Sequence, residues 1–455
     1  MAPADQDFLR NFFRAVTDRP LDPDDPQYVP LYADPERAGE DPVELLARAI
    51  EWTPGESVQL LSGFRGTGKS TELRRLRKRL RNTGYRVVLC DFEDYLNMST
   101  PVDISDFLIA LAGAFGDGLL AQKLLDKDPS DEGYWARAVT FLTRTQVDVS
   151  QLSADLKFGV GPSVGLKANL KSDPTFTQKL RERMAGHLGA LVEDVHSYLQ
   201  GCVRELKQRH GSDTEVVLLL DSIEHIRGTT INAAEVQASL ETLFASHADK
   251  LRLPDVHVVY TVPPYLKVRY ANLGALYAPG GVHVLPALKV RERGDGPLQS
   301  GLDALERVVR ARGDWKRLLG ERTRLDSMIL TSGGHLRDLL RMLAELLRRA
   351  TVLPVTEKTL EAAINQIRTE SLPIADADAV WLARIAETHD ASLAEATRLP
   401  DLARFLDTHL VLCYRNGGLE WYDVHPLIAD EVKRQAAAVT ERERAARADR
   451  QASGP

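Results

Sequence analysis

The chain has 455 residues, of which 44% are hydrophobic and 27% are charged. A chain of this length is expected to form about three packed units, and its composition is that of a globular protein rather than a disordered or fibrous one. Its formal net charge of −7 argues against an overall electrostatic hold on nucleic acid or on an anionic membrane.

Cysteine usage and the first residues bear on the compartment. Cys90, Cys202 and Cys413 lack metal-ligand spacing and cannot all pair, so we expect buried thiols in a reducing cytoplasm. The start, MAPADQDFLRNFF, carries acids where a secretory signal needs basic residues. Since no apolar run approaches the roughly 20 residues needed to span a bilayer, we expect no membrane anchor.

The first half of the chain alternates between strand and helix patterns. Residues 1–40 are predicted to be a lead-in segment, with one helix and then a run rich in proline and aspartate. DPVELLARAIEW predicts a helix that begins at Pro42, and SVQLLSG predicts a buried strand. Beyond a glycine-rich loop, TELRRLRKRLRNTG predicts an amphipathic helix that ends at Gly84.

A parallel sheet is expected from the strands that follow. YRVVLCDFED, EVVLLLDS, VHVVYTVPP and GVHVLPALKV read as strands covered on both faces. The second of these comes so late that an insertion is predicted at about 101–212, because a strand–helix–strand unit needs only about 30 residues. Within the insertion we expect helices, a flexible hairpin at 147–170 and a long helix at 175–210.

Three further regions complete the predicted organisation. The α/β domain is placed at 41–296 and a purely helical lid at 297–372. Residues 373–436 show short helices and then two strands joined by Asn-Gly-Gly, which is the order of a winged helix. The last residues, 437–455, are predicted to be a flexible tail.

The segment GFRGTGKST fits the pattern G-x-x-x-x-G-K-[ST], and it follows a strand and opens a helix. Its glycines let consecutive backbone N–H groups surround a phosphate, while a lysine reaches the β- and γ-phosphates and a serine ligates Mg²⁺. The sequence therefore predicts that this loop binds ATP with Mg²⁺. The predicted binding residues are Gly63, Phe64, Arg65, Gly66, Thr67, Gly68, Lys69, Ser70 and Thr71.

Four other residues are candidates for chemistry on the nucleotide. Asp221 ends a buried strand, where its carboxylate can meet Mg²⁺. Glu224 is either the group that polarises the attacking water or a surface carboxylate. Thr261 either reads the γ-phosphate or is an ordinary strand residue, and Arg337 either contacts that phosphate or is an exposed helix arginine.

Two other features carry alternative interpretations. The helix after the loop bears a basic run that either contacts the phosphates of a nucleic acid or an acidic partner, or is a solvated face, which we favour. His425 in DVHPL is predicted to be a packed histidine, because no second metal-type residue stands at suitable spacing. The basic run comprises Arg74, Arg75, Arg77, Lys78, Arg79 and Arg81.

With these residues identified, the chain resembles the AAA+ and STAND branch of P-loop ATPases over about 41–434. That branch includes origin-recognition-type ATPases and the switch ATPases of signalling and defence. The resemblance implies an α/β fold, with a P-loop NTPase parallel sheet, a helical lid and a C-terminal winged-helix domain. It also implies an adenine contact near Tyr28 to Tyr32, Walker A roles for Lys69 and Ser70, Walker B for Asp221, sensor 1 for Thr261 and sensor 2 for Arg337.

The chain departs from that branch at two places. AAA+ motors usually place a glutamate directly after the Walker B aspartate, whereas Ser222 stands here and Glu224 follows in a STAND-like pattern. We therefore expect slow hydrolysis. The STAND helical domain usually shows a G-x-P motif, whereas the segment from Gly334 to Arg337 is closer to the origin-recognition type.

The predicted function is an ATP-dependent switch that controls a protein partner, for example in bacterial signalling or anti-phage defence. One alternative is a DNA-associated ATPase of the origin-recognition or loader type, and another is a scaffold that binds nucleotide without hydrolysing it. Residues 376–434 contain 11 acidic and 6 basic residues, a net charge of −5, whereas DNA-reading modules are usually basic. A protein partner is therefore favoured over nucleic acid, and a homo-oligomer stays open.

Overall fold

The apolar runs of the sequence form a five-stranded sheet in the computed structural model of the chain, which describes residues 3–130, 133–145, 162–229, 231–294, 296–391, 398–416 and 418–452. The strands are β1 (Ser57–Gly63), β2 (Arg86–Asp91), β3 (Val216–Asp221), β4 (Val256–Val262) and β5 (Val282–Leu285). Their order across the sheet is β2-β3-β4-β1-β5. The pairs β1–β4, β2–β3 and β3–β4 are parallel, which confirms the predicted parallel sheet.

Strand β5 is shorter than predicted. The strand pattern GVHVLPALKV covers residues 281–290, but the strand ends at Leu285. The next residue, Pro286, has no backbone N–H to donate to a ladder, which accounts for the early end.

Contacts within the chain define two units. The first comprises Met1–Pro42, Gly63–Thr71 and Leu285–Pro455, and the second comprises Val43–Ser62 and Glu72–Val284. These units do not follow the domain boundaries predicted from the sequence, which stay predictions.

The second unit contains the sheet and the insertion. Leucines of the helix Lys69–Asn82 pack with Leu46 and Ile50 of the helix Pro42–Glu51 and with strand residues such as Val217 in one buried apolar cluster. The predicted amphipathic face is thus the face that covers the sheet. The unit also contains the helices Ala233–Glu241, Pro264–Arg269 and Leu273–Leu276, the 3₁₀ turns Phe92–Asp94 and Ile223–His225, and the π-helical segment Thr242–Ser246.

The insertion differs from its prediction in two respects. The hairpin expected at 147–170 is wrong for its second half, because the helix Pro162–Ser172 begins with a proline and buries Leu166 and Leu170 one turn apart; residues 147–161 lie outside the described residues. The long helix predicted at 175–210 is two helices, separated by a turn that contains Gly186. The insertion helices are Ile104–Ala121, Tyr134–Arg144, Pro162–Ser172, Pro174–Met184 and Leu188–His210.

One helix of the insertion is long and apolar enough to cross a membrane by length and composition. This helix, Ile104–Ala121, is 83% buried inside the fold, as core helices of soluble proteins are. It therefore gives only weak evidence for a membrane span.

The first unit is helical over the predicted lid. Glycine or proline lies close to several of the helix ends, and Gly334, with φ of +77°, could not carry a Cβ because that atom would lie 1.8 Å from the carbonyl oxygen of Leu288. The helices are Gln299–Arg310, Trp315–Leu319, Arg322–Thr331, Leu336–Arg349 and Glu357–Thr369, and the lead-in contributes Pro3–Ala15 and Pro35–Ala38.

The C-terminal module contains the two strands that the Asn-Gly-Gly motif predicts. They are antiparallel, and their register pairs Asn416 with Leu419. The predicted flexible tail at 437–455 is instead helical as far as Ala452, since its alanine, glutamate and arginine residues are strong helix formers. The elements are Asp376–Thr388, Leu399–Asp407, β6 (Val411–Asn416), β7 (Leu419–Val424) and Pro426–Ala452.

All three cysteines are buried thiols outside any disulfide bond, as expected from their spacing.

Candidate functional site

The glycines of the loop adopt the backbone that only glycine tolerates well. Gly66 and Gly68 have φ angles of +91° and +97°. A Cβ on Gly63 would lie 2.8 Å from the carbonyl oxygen of Leu285, and a Cβ on Gly66 would lie 2.5 Å from the Cβ atom of Arg337. Each glycine is therefore required by conformation, by close packing or by both.

The loop ends in a helix whose first residue is Lys69. The Nζ atom of Lys69 donates to the carbonyl oxygens of Gly63 and Phe64, at 2.8 Å each. The Thr67 hydroxyl donates to the Phe64 carbonyl at 2.9 Å. Because the first amides of a helix have no intrahelical acceptor, this end of the loop suits an anion.

The lead-in segment contacts the loop directly. The hydroxyl of Tyr32 lies 2.8 Å from the carbonyl oxygen of Thr67, to which it donates, and the backbone N–H of Leu21 donates to the Thr71 hydroxyl at 3.1 Å. Tyr32 is buried, so its hydroxyl is committed to the protein backbone. The adenine contact implied near Tyr28 to Tyr32 stays a prediction.

The helix Leu336–Arg349 also meets the loop. The backbone N–H of Arg337 donates to the carbonyl of Gly66 at 3.2 Å, and its side chain forms an ion pair with Asp18. The structure thus brings Arg337, for which the resemblance implies a sensor 2 role, against the loop.

A buried polar cluster lies next to that contact. His335 Nε2 is 2.7 Å from the carbonyl oxygen of Arg65, and His335 Nδ1 is 2.7 Å from Asp338 Oδ2. The same carboxylate oxygen lies 3.1 Å from His425 Nε2, and His425 Nδ1 accepts a hydrogen bond from the backbone N–H of Leu427. We call these groups the His335 network: the Arg65 carbonyl, His335, Asp338 and His425.

The charge states within the His335 network follow from burial and contacts. Burial by itself would raise the pKa of the Asp338 carboxyl, but His335 and His425 hold that pKa well below its ordinary value. Burial lowers the pKa of His425 despite the nearby carboxylate. Asp338 is therefore ionised and His425 is neutral, which agrees with the hydrogen bond that its Nδ1 accepts.

Sequence reasoning did not find this cluster. His425 is buried, as expected of a packed histidine, but the argument that it has no metal-type neighbour is wrong in three dimensions. His335, Asp338 and His425 present ligand atoms within 4.8 Å of one another. Hydrogen bonds account for these atoms, and we assign no metal to them. The one feature of the sequence that could have pointed to this cluster is the turn formed by Gly333, Gly334 and His335.

The other candidate residues lie in the second unit. The Asp221 carboxylate accepts a hydrogen bond from the backbone N–H of Ser222, whose φ is +69°. The Thr261 hydroxyl accepts from the backbone N–H of Ile223 at 3.0 Å. Thr261 therefore stabilises the turn that follows Asp221. Because the Thr261 hydroxyl is the acceptor in this contact, its own hydrogen can still be donated to another group.

Glu224 lies in that same turn and is buried. His225 Nε2 is 3.8 Å from Glu224 Oε1, while His225 Nδ1 contacts the carboxylate of Glu93. The alternative in which Glu224 is a surface carboxylate is therefore wrong. The alternative in which Glu224 polarises the attacking water stays a prediction.

The basic run after the loop is partly paired with acidic residues. Arg75 binds Glu72, and Arg79 binds both Glu44 and Glu51. Such pairs reduce the charge that the helix could offer to phosphates, in agreement with the favoured interpretation as a solvated face.

The loop between a buried parallel strand and a helix, with its lysine and glycines, defines an α/β P-loop NTPase fold, as predicted. No protein-family model matches the sequence, and no curated protein matches it.

Solved structures do show similarity over nearly the whole chain. A Walker-type ATPase of Pyrococcus abyssi is 14% identical, with 92% of this chain and 99% of that chain covered and a TM-score of 0.40. The ORC2 protein of Aeropyrum pernix, in its ADPNP and ADP complexes, is 13% identical, with 95% and 98% covered and a TM-score of 0.43. Cdc6p from Pyrobaculum aerophilum is 12% identical, with 94% and 98% covered and a TM-score of 0.37.

Proposed function

We propose that this chain is an AAA+/STAND-like ATPase that binds ATP with Mg²⁺, hydrolyses it slowly and switches the state of a protein partner. The observation that carries this proposal is the loop from Gly63 to Thr71. Its two positive-φ glycines, its lysine and the helix that begins at Lys69 form the arrangement that binds phosphate.

The residues present fit the proposed ligands. Lys69 and the first-turn amides of its helix supply positive charge and donors for phosphate oxygens. Mg²⁺ prefers oxygen ligands, and the candidates are the Ser70 hydroxyl and the Asp221 carboxylate. When bound, Mg²⁺ would neutralise charge on the phosphates. These roles stay predictions, as do those of Thr261 and Arg337.

Slow hydrolysis is proposed from the turn after Asp221. Ser222 cannot accept a proton at neutral pH as a glutamate can, so the position beside Asp221 lacks a base. Glu224 is the remaining candidate, and it is held next to His225. Turnover would depend on how the turn presents that carboxylate.

The proposal of a switch rests on the contacts that the loop makes with other segments of its own unit. The lead-in reaches Thr67 through Tyr32, the lid helix reaches Gly66 through Arg337, and His425 of the C-terminal module joins the same region through Asp338. A phosphate on the loop could therefore bias three segments together, as a switch requires.

A protein partner is favoured over DNA by charge. Residues 376–434 of the C-terminal module have a net charge of −5, and their arginines are largely paired within the chain: Arg404 with Asp378, Arg398 with Asp401, and Arg415 with Glu420. Few of its cations are thus available for phosphate contacts, which dominate DNA affinity.

The test is nucleotide-dependent capture with the full chain. Glu224→Gln protein loaded with ATP, the same protein loaded with ADP, and Lys69→Ala protein are each used as bait in a nuclease-treated lysate. The proposal expects one protein retained only by the ATP-loaded bait. Equal retention by all three baits would contradict the switch. Submicromolar binding of the full chain to duplex DNA at physiological salt would favour the loader alternative instead.

A further inference from the structure

Both ring nitrogens of His335 face hydrogen-bond acceptors. Nδ1 lies 2.7 Å from the carboxylate of Asp338, and Nε2 lies 2.7 Å from the backbone carbonyl of Arg65. A carbonyl has no hydrogen to give, and the Asp338 carboxylate already accepts from Arg341 and from the Nε2–H of His425, whose Nδ1 is itself an acceptor. A neutral imidazole has one N–H and would place a lone pair against one of them. The contacts therefore require the doubly protonated imidazolium form.

The surroundings of His335 can hold that cation. Its ring is fully buried, where a charge needs both a counter-ion and hydrogen bonds. Asp338 supplies the counter-ion, and its second oxygen accepts from Arg341 at 3.3 Å. The rings of His409 and His425 also face His335, with centroids 4.8 and 6.2 Å away, and His425 is neutral. The Asp338 carboxylate thus accepts hydrogen bonds from two cations, His335 and Arg341, and from the neutral His425.

We propose that His335 is a positioning residue that sets the shape of the phosphate-binding loop and links it to Asp338 and His425. Its Nε2–H holds the carbonyl of Arg65, one residue before Gly66, whose own carbonyl is held by the N–H of Arg337. Two successive carbonyls of the loop are thus fixed from the start of one helix. Because charge-assisted hydrogen bonds are roughly twice as strong as neutral ones, the imidazolium holds the loop more firmly than a neutral ring would.

The link continues away from the loop. Asp338 Oδ2 receives both His335 and His425, so a shift of the Arg65 carbonyl can pass through one carboxylate to the C-terminal module. This inference rests on the proposed function only in its claim that nucleotide occupies the loop. The protonation of His335 and its hydrogen bond to the Arg65 carbonyl do not depend on bound nucleotide.

The first experiment measures protonation. The full chain is labelled with ¹⁵N at histidine, and the imidazole nitrogens are observed at neutral pH without nucleotide. The His335 signal is assigned by its loss in His335→Gln, or by its change in Asp338→Asn if the first variant fails to fold. We expect two protonated nitrogens in wild type and one in Asp338→Asn. A singly protonated His335 in wild type overturns the proposal.

The second experiment measures the loop. Hydrogen exchange of the amides at 63–71 is compared in wild type, His335→Gln, Asp338→Asn and a control, His210→Gln, whose residue is exposed at the end of the helix Leu188–His210. Loss of a buried charge-assisted bond should speed exchange at these amides by about 10- to 100-fold in His335→Gln, with a smaller change in Asp338→Asn. The control should match wild type. Unchanged exchange in folded His335→Gln overturns the positioning role.

Nucleotide affinity separates this inference from the proposed function. With a fluorescent ATP analogue, His335→Gln should bind about tenfold or more weakly than wild type, because its loop must be ordered first. If wild type does not bind the analogue, the proposed function fails, while the protonation and exchange measurements still decide the role of His335. Wild-type affinity in a variant whose loop exchange has risen would overturn the link between loop shape and binding.

Discussion

Arg337 forms an ion pair with Asp18, a residue of the lead-in segment. The two side chains are partly exposed, and the backbone of Arg337 is fixed to Gly66 at the same time. The guanidinium proposed to contact the γ-phosphate is thus close to the loop but engaged by a carboxylate. ATP would compete with Asp18 for this group.

Asp18→Asn should therefore raise ATP affinity. Partly exposed ion pairs contribute about 0.2–1 kcal/mol, so the gain should be at most about fivefold. Arg337→Ala should weaken binding, and the double variant should match Arg337→Ala, which equilibrium titration with a fluorescent ATP analogue can show. Asp7→Asn, which breaks an exposed pair with Arg10 in the same segment, is the control. Weaker binding by Asp18→Asn would show that the pair itself builds the site.

Glu224→Gln should trap bound ATP. Because general-base groups contribute about 10²- to 10⁴-fold, the variant should lose at least about 99% of its turnover and keep its ATP affinity. Phosphate release by the purified wild type should itself lie below the usual range of about 1 to 1000 per second. Glu235→Gln, at an exposed position, is the control. A variant as active as wild type would remove Glu224 from the mechanism.

Asp221→Asn should raise the Mg²⁺ concentration needed for hydrolysis far more than it changes nucleotide affinity, since the lost charge acts through the metal. The measurement is a Mg²⁺ titration of turnover at saturating ATP. Asp91→Asn is a matched control, because Asp91 pairs with Asp221 in the sheet register and its side chain caps Glu93. An unchanged Mg²⁺ dependence in Asp221→Asn would exclude the assigned role.

Acid should destabilise the protein through His425. Its folded pKa is lowered below the ordinary 6.5 by burial, so between these two values the unfolded chain binds one more proton than the folded chain. The free energy of unfolding then rises with pH by up to about 1.4 kcal/mol per unit from this group. The contribution is complete above pH 6.5 and is lost as the pH falls through the folded pKa.

The measurement is urea unfolding at several pH values below and above 6.5. His425→Gln should show a shallower rise of unfolding free energy with pH than wild type, and the exposed-site control His210→Gln should not. Parallel slopes in wild type and His425→Gln would contradict a neutral, buried His425.

The strands and the loop were predictable because their signals are local. Strands β1, β3 and β4 are buried along their whole length, so each appears in the sequence as a short run rich in apolar residues. The loop must use glycine where φ is positive, and Gly66 and Gly68 show this directly.

Weak local signals explain the errors in secondary structure. In the segment from Pro162 to Ser172, the glycine and the alternation of apolar and polar residues suggested a hairpin. The segment is a helix, because this conformation buries Leu166 and Leu170 on one face. The last turns of the chain read as a tail because they are polar, yet polarity does not oppose helix in residues with high helix propensity.

The contacts around the loop lay beyond sequence reasoning. Tyr32 and Thr67 are 35 positions apart, and Asp338 and His425 are 87 apart. Such pairs depend on the tertiary packing of segments that no periodicity connects. The protonation of His335 is still harder to predict from the sequence, because it depends on two acceptors, Asp338 and the Arg65 carbonyl, from different segments.

Equilibrium binding of ATP by the full chain tests the central claim most directly. Wild type, Lys69→Ala and a control, Lys78→Ala, which removes an exposed lysine of the same helix, are titrated with ATP and Mg²⁺ by calorimetry. We expect saturable binding by wild type and Lys78→Ala, and at least about a hundredfold loss in Lys69→Ala with the fold intact by circular dichroism. Wild-type affinity in folded Lys69→Ala, or no binding by wild type, would contradict the account.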